Sequence, residues 1–228
     1  MAAIRLRPGH PQRAGIFDII GRNSASGYVG HVGILRTGNV LSYNAPVKIF
    51  HSGPPLEVGQ ARKDSGEPVL GEVEVHAVGW IDDLEIEEWR GIQSWIEDVR
   101  TRISSGLLKQ YLVDPPFYEE LDKVSGRIMR CQYSCVGFVL RCYEIGVGIT
   151  LLNIDSANLP PVDKDTLSEI YGDIWDRIGR FAPVLGIPGP GPWRIVLAGY
   201  VFHALNRPIN EIRTSPHVVR SIGEAAFP

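Results

Sequence analysis

Three cysteines, Cys131, Cys135 and Cys142, lie within twelve positions in the stretch RCQYSCVGFVLRCYEIG, and the chain has no others. Such a group suits a metal clip, a disulfide, an apolar helix face or a reactive thiol. A structural zinc site usually needs four ligands at tight spacings, and this stretch has neither a CxxC pair nor a histidine at ligand spacing. We therefore expect no metal and no cofactor. An odd number of cysteines excludes complete disulfide pairing and favours a reducing compartment, or a role for one thiol.

Four side chains of this stretch recur at the spacing of one helix face: Cys135, Phe138, Val139 and Cys142. Taken alone, the pattern favours an inert core helix, because cysteine is among the most often buried residues. Two features point to a reactive site instead. Cys135 opens the predicted helix after Ser134, a plausible N-cap, where the helix dipole stabilises a thiolate. Gly137 in the first turn leaves space for an approaching group.

A thiolate nucleophile also needs a base, and among six histidines His31 has the most distinctive setting, GYVGHVGILRTGN. Strand alternation puts His31, Gly33 and Leu35 on one face of the predicted strand. Because a glycine beside the histidine leaves a gap, we expect a helix terminus to fill it. The competing interpretation is a half-exposed strand histidine without a role.

The elements that must position these residues follow from the periodicity of the chain. Strands are predicted at 16–20, 28–36, 39–45, 47–50 and 71–80, with 28–36 and 39–45 forming a hairpin through TGN. Helices are predicted at 82–103, 135–146, 163–181 and about 193–206, with Gly146 as the C-cap of the second. Residues 114–121 are predicted to be a loop leading to a turn or short helix. Strands first and helices after indicate an α+β fold, with helices packed on one antiparallel sheet.

Composition excludes several classes of protein. The chain has 228 residues, 44% apolar and 21% charged, and a net charge of -3 without a basic block, so a nucleic-acid partner is not expected. The N-terminal segment has no apolar core typical of a signal peptide. The unbroken apolar segment WRIVLAGYVFHAL is too short to span a bilayer of roughly 30 Å. We therefore expect a cytoplasmic protein without a transmembrane segment, with export by a route other than Sec left open.

The two motifs together resemble a known family. The stretch GHVGIL, a turn and VLSYNAP resemble the histidine hairpin of NlpC-type cysteine peptidases, and YSCVGFVLRCYEIGVGITLL resembles their nucleophile helix. His31 precedes Cys135 here, the reverse of the usual order. The chain therefore resembles the circularly permuted branch, which includes YiiX-like peptidases and the lecithin:retinol acyltransferase group. The resemblance covers about residues 14–50 and 130–163.

The chain departs from the family pattern at three positions. Val136 stands where serine is common after the nucleophile, Ser134 where aspartate is common before it, and Phe17 replaces the glycine before an aspartate. The resemblance implies a permuted papain-like domain over 1–163, an antiparallel sheet packed against the nucleophile helix. Residues 164–228 match no part of the family and are predicted to be a helical extension on the same domain.

The resemblance also implies a mechanism. Cys135 would be the nucleophile, His31 the general acid/base and Asn44 the group that orients the imidazole, with Ser42 as the substitute orienter. The backbone N–H of Cys135 is the expected oxyanion donor. Three side chains are assigned to substrate binding: Tyr133, Ser42 and Ser134.

The expected reaction is hydrolysis of an amide bond in a peptide or peptidoglycan fragment. Transfer of an acyl group, or lipid hydrolysis, is the alternative, since the permuted branch contains both activities. A third hypothesis is a catalytically inactive papain-like module used for binding. The loop 51–68 and the segment 182–193, both rich in Gly and Pro, are predicted to border the substrate groove.

Overall fold

The structure is a computed structural model that describes residues 3–24, 26–53, 70–104, 112–126, 128–171, 187 and 189–227. Its strands are β1 (Ala3–Arg5), β2 (Gln12–Ala14), β3 (Ile19–Asn23), β4 (Val29–Leu35), β5 (Asn39–Leu41), β6 (Pro46–Phe50), β7 (Leu70–Glu74), β8 (Ala77–Gly79), β9 (Phe117–Leu121) and β10 (Ile128–Tyr133). Its α-helices are α1 (Ile86–Ser104), α2 (Cys135–Val147), α3 (Lys164–Tyr171), α4 (Gly199–Leu205) and α5 (Ile209–Thr214). Two short 3-10 helices span Ser156–Asn158 and Ile222–Ala225.

A six-stranded antiparallel sheet in the order β1-β8-β3-β4-β6-β7 forms the centre of the fold. Two smaller antiparallel pairs, β2 with β5 and β9 with β10, lie outside it. The α+β class with an antiparallel sheet and several helices is therefore confirmed. Within the described ranges, we find no helix whose length and apolar character would let it cross a bilayer.

The predicted hairpin between 28–36 and 39–45 is wrong. Strand β5 pairs with β2, and the strand that follows β4 in the sheet is β6, with Ile34 opposite Phe50 and Leu35 opposite Ile49. The reason is burial: β6 places Val47 and Ile49 in the core, whereas β5 buries only one of its three side chains. Apolar surface removed from water favours β6 as the neighbour of β4.

Two other predicted elements differ from the structure. The single strand predicted at 71–80 is two strands, because β7 pairs with β6 while β8 lies between β1 and β3. The segment 114–121, predicted as a loop and short helix, contains β9, which pairs with β10. Antiparallel pairing with the next strand along the chain, β10, supplies the backbone hydrogen bonds of this segment.

Helix α2 begins at Cys135 as predicted but ends beyond Gly146. Its C-cap is Gly148, which has φ 79° and donates its N–H to the carbonyl of Glu144. Gly146 has a different role, because a Cβ there would overlap the backbone of Gly91 and Ile92 in α1. Gly91 of α1 and Gly146 of α2 therefore let the two helices pack at close range.

The core has two parts, one on each face of the sheet. On one face, α2 packs against Val32 and Ile34 of β4, and Trp95 of α1 and Ile170 of α3 join the same cluster. On the other face, a smaller cluster lies beneath the β2–β5 pair: it includes Leu35, Leu41, Val47, Ile49 and Val73. Helix α2 is therefore a buried central helix. Of the helix predicted at 163–181, residues 172–181 lie outside the described part.

Candidate functional site

The start of α2 has the cap that its sequence predicts. Ser134 has extended backbone angles, and its hydroxyl accepts a 2.8 Å hydrogen bond from the N–H of Gly137. The N–H of Ser134 donates to the carbonyl of Pro116, so the preceding segment is anchored as well. Cys135 is the first residue of the helix and is only 1% exposed. Its thiol thus lies at a helix N-terminus, where the dipole favours the thiolate.

Gly137 is required by packing and does not open a space for substrate. A Cβ at this position would overlap the backbone carbonyl of Pro116, just before β9. The segment that pairs with β10 therefore occupies the space that the sequence analysis assigned to an approaching group.

His31 lies on β4 and contacts a second histidine. Its Nε2 atom lies 2.7 Å from Nδ1 of His51, the residue that follows β6, and the two rings are perpendicular with centroids 4.9 Å apart. One imidazole N–H donates and the other ring nitrogen accepts, so each ring fixes the tautomer of the other. His31 is half-buried and His51 is 7% exposed.

Two glycines make room for this pair. A Cβ on Gly71 of β7 would overlap the ring of His51, and a Cβ on Gly33 would overlap the side chain of Ile49 and the carbonyl of Phe50. The gap at Gly33 is thus filled by β6 and not, as expected, by a helix terminus. The sequence analysis did not select His51, because this residue opens a loop-like segment. Its position directly after a predicted strand is the signal that could have identified it.

Ser52 connects the histidine pair to the start of α2. Its hydroxyl donates a 2.7 Å hydrogen bond to the carbonyl of Tyr133, two residues before Cys135. Both Ser52 and Tyr133 are buried, so this bond is protected from water. The end of β6, which carries His51, and the end of β10, which leads into Cys135, are therefore held together.

Tyr171 at the end of α3 lies close enough to Cys135 for the two to interact electrostatically. Burial raises the pKa of the Tyr171 phenol above its ordinary value, and the thiol of Cys135 raises it further. The backbone carbonyl of Ile170 approaches Gly30 of β4. The last turn of α3 therefore covers the side of the site next to β4.

The two faces of the sheet restrict how the thiol and the imidazole can meet. Val32 belongs to the core cluster that also contains Cys135, while Leu35 belongs to the cluster on the opposite face. His31 alternates with Val32, so its ring leaves β4 on the side of Leu35. A contact between His31 and Cys135 has to form around the strand ends, near Ser52. The convergence of these two residues stays a prediction.

The structure gives the predicted orienting residue another partner. Asn44 lies in the turn between β5 and β6 with φ 65°, and its Oδ1 is 3.0 Å from Nε2 of His76. Ser42, the substitute, is exposed in the same turn. Both assignments assumed that 39–45 lies beside β4. Because β6 occupies that place, His51 is the side chain that contacts His31.

Tyr133, predicted to bind substrate, has its hydroxyl in the core. The hydroxyl donates to Oε1 of Glu119 at 2.7 Å, and the second oxygen of Glu119 pairs with Arg141. Burial raises the pKa of Tyr133 far above its ordinary value. The side chain of Tyr133 is therefore buried in the core, while its backbone carbonyl accepts the hydrogen bond from Ser52, the residue after His51. Ser134, also predicted to bind substrate, uses its hydroxyl for the helix cap.

The other two thiols lie in unfavourable surroundings for ionisation. Burial raises the pKa of Cys131 to about 11 and raises that of Cys142 well above its ordinary value. Both are buried and outside the helix N-terminus. Of the three thiols, Cys135 is the one placed where a helix dipole favours the thiolate.

Comparison of the chain with protein-family models, with curated proteins and with solved structures found no match.

Proposed function

We propose that the chain is a cysteine hydrolase with a circularly permuted papain-like fold that cleaves an amide bond of a peptide or peptidoglycan type. Cys135 is the nucleophile and His31 the general acid/base. His51 takes the orienting role that the sequence analysis gave to Asn44. Ser134, which the sequence analysis assigned to substrate binding, has a structural role in this proposal, because its hydroxyl caps the N-terminus of α2.

One observation carries the proposal. The pair of His31 and His51, joined at 2.7 Å, is tied through Ser52 to the carbonyl of Tyr133, two residues before Cys135. Papain-like chemistry needs a thiol at a helix N-terminus, an imidazole and a polar group on the second ring nitrogen. The described residues supply a thiol at a helix N-terminus and an imidazole with a polar partner, and the hydrogen bond of Ser52 links the segments that carry them.

The chemistry follows from these roles. The imidazole of His31 takes the proton of the Cys135 thiol, and the thiolate attacks the carbonyl carbon of the substrate. The backbone N–H of Cys135, at the helix terminus, donates to the developing oxyanion. His31 then returns the proton to the leaving amine, and the acyl-enzyme is hydrolysed by water that His31 deprotonates.

Burial of Cys135 favours a second candidate function. A side chain that is 1% exposed cannot meet a substrate unless the residues that cover it move. A chain whose cover never opens would be an inactive papain-like module that binds a partner. The acyltransferase and lipase alternatives share the thiol chemistry and differ only in substrate or acceptor.

The test is turnover of a panel of amide, ester and phospholipid substrates by the native chain. Cys135→Ala and His31→Ala should each abolish hydrolysis, whereas Cys131→Ala, the matched thiol control, should retain it. Release of an amine and a free acid supports the hydrolase, and transfer of the acyl group to an added acceptor supports the acyltransferase. Full activity in Cys135→Ala, or no turnover of any substrate by the native chain, would contradict the proposal.

A further inference from the structure

A second group of reactive side chains lies in the C-terminal part of the chain, which matched no family motif. His203 on α4, His217 after α5 and Glu224 in the last 3-10 helix each offer one ligand atom, and these atoms lie within 4.8 Å of one another. Nε2 of His217 lies 2.6 Å from Oε2 of Glu224, and Nε2 of His203 lies 3.6 Å from the same oxygen. Two imidazoles thus converge on one carboxylate oxygen.

The carboxylate is held so that this oxygen faces the histidines. Oε1 of Glu224 accepts hydrogen bonds from the backbone N–H groups of Arg220 at 2.8 Å and Ser221 at 3.2 Å, and the bond from Ser221 belongs to a capping box between Ser221 and Glu224. Oε2 is left to the imidazoles. Outer hydrogen bonds of this kind orient a metal-ligating carboxylate.

The backbone of His217 is fixed as well. It pairs with the segment after α2, through its N–H to the carbonyl of Leu151 at 2.9 Å and its carbonyl to the N–H of Asn153 at 2.8 Å. Its side chain is 12% exposed, as buried as that of Glu224 at 11%, while that of His203 is 48% exposed. Two ligands are therefore rigid and shielded, and the third lies at the surface, where an ion can enter.

We propose that His203, His217 and Glu224 form a binding site for a divalent transition-metal ion of the zinc class, with a fourth position open to water. Two imidazole nitrogens and one carboxylate oxygen are a ligand set that zinc uses. Ligand atoms of one tetrahedral zinc ion lie about 3.3 Å apart, given bonds of about 2.0–2.2 Å. The observed separations of 2.6 and 3.6 Å lie on either side of that value, and all three ligand atoms lie within 4.8 Å of one another.

The ligand set also distinguishes this site from others. Calcium and magnesium require mainly oxygen ligands, so two imidazoles disfavour them. The thiols of the chain belong to the other site. The competing occupant is a proton shared between His217 and Glu224, which a metal ion would have to displace.

A buried tyrosine lies within electrostatic range of Glu224. Tyr200 on α4 is fully buried, its hydroxyl has no hydrogen-bond partner among the described residues, and the charge of Glu224 acts on it. The site would also join α4, the segment after α5 and the last 3-10 helix.

The test uses the purified full-length chain stripped with a chelator and titrated with Zn²⁺ against a chromogenic competitor. His203→Gln is the informative variant, because this exposed side chain can be replaced without disturbing the core. His10→Gln, another exposed histidine, is the matched control. Zinc that binds elsewhere on the chain contributes equally to all three proteins, so the difference between them reports the proposed site.

The native chain and His10→Gln should each bind one Zn²⁺ ion more than His203→Gln, or bind that ion more tightly by roughly tenfold or more. A zinc-soaked crystal should show anomalous density between His203, His217 and Glu224. Equal zinc stoichiometry and affinity in His203→Gln would overturn the proposal. Equal binding of Mg²⁺ or Ca²⁺ at the same concentrations would overturn it too. Circular dichroism of each variant confirms that a loss of zinc is not a loss of fold.

Discussion

The Nε2 atom of His31 lies 2.7 Å from the Nδ1 atom of His51, and the planes of the two imidazoles are perpendicular. One ring nitrogen of His31 on β4 therefore contacts a residue twenty positions later in the chain, directly after the neighbouring strand β6.

Replacing His51 should impair the proposed reaction more than replacing Asn44. His51→Ala removes the group that fixes the tautomer and angle of His31, so kcat/KM for the amide substrate should fall by about 10²–10⁴-fold. Asn44→Ala, the matched control, breaks a contact with His76 and should leave kcat/KM close to that of the native chain. Steady-state kinetics of the two variants decide the point. The reverse order of effects would return the orienting role to Asn44.

Among the three thiols, Cys135 should react first with limiting iodoacetamide at about pH 6, well below the free-thiol pKa of about 8.5. Burial raises the pKa of Cys131 to about 11 and raises that of Cys142, so both are protonated at that pH. Peptide mass spectrometry after brief labelling gives the order. His31→Ala should slow the labelling of Cys135 by removing the imidazolium that stabilises the thiolate. Equal modification of all three sites would identify α2 as an inert core helix.

Ser52→Ala should lower both stability and turnover. The substitution leaves the buried carbonyl of Tyr133 without its hydrogen bond, which costs about 1–3 kcal/mol in free energy of unfolding. It also releases the end of β6, and with it His51, from the start of α2, so kcat should fall. Ser42→Ala at an exposed turn is the control and should change neither quantity. Urea unfolding and kinetics measure the two effects, and a fully active Ser52→Ala would show that this link does not position the histidines.

Asp18 should make the chain less stable as the pH rises from about 4 to about 6. Burial raises the pKa of its carboxyl to about 6 from 3.8, although a 2.7 Å hydrogen bond from the N–H of Gly15 opposes the shift. The folded chain therefore holds this proton more tightly than the unfolded chain. The resulting stability is fully present below the unfolded pKa and is lost as the pH rises to the folded one.

Urea unfolding of Asp18→Asn across this pH range should show a flatter profile than that of the native chain. Asp122→Asn is the control, because hydrogen bonds from Ser125 lower the pKa of that exposed carboxyl, so its contribution has the opposite sign. An unchanged slope in Asp18→Asn would assign the pH dependence to other groups.

Local signals in the sequence were sufficient for the start of α2. A serine hydroxyl that reaches the N–H three residues later depends only on neighbouring residues, so Ser134 as the N-cap and Cys135 as the first helical residue were predicted correctly. Glycine was less reliable. Gly137 and Gly146 were interpreted as a substrate gap and a C-cap, and both in fact admit the backbone of a distant segment, which local sequence does not reveal.

The sequence by itself determined the α+β class and the position of the Cys135 thiol at a helix N-terminus, and it is the basis for proposing His31 among six histidines. The tertiary structure decided what lies beside His31. That outcome depends on β6, and not β5, pairing with β4, and on the space that Gly33 and Gly71 leave for His51. Strand pairing depends on how much apolar surface each arrangement buries across the whole sheet. The hydrophobic pattern of a single strand therefore does not predict which strand becomes its neighbour.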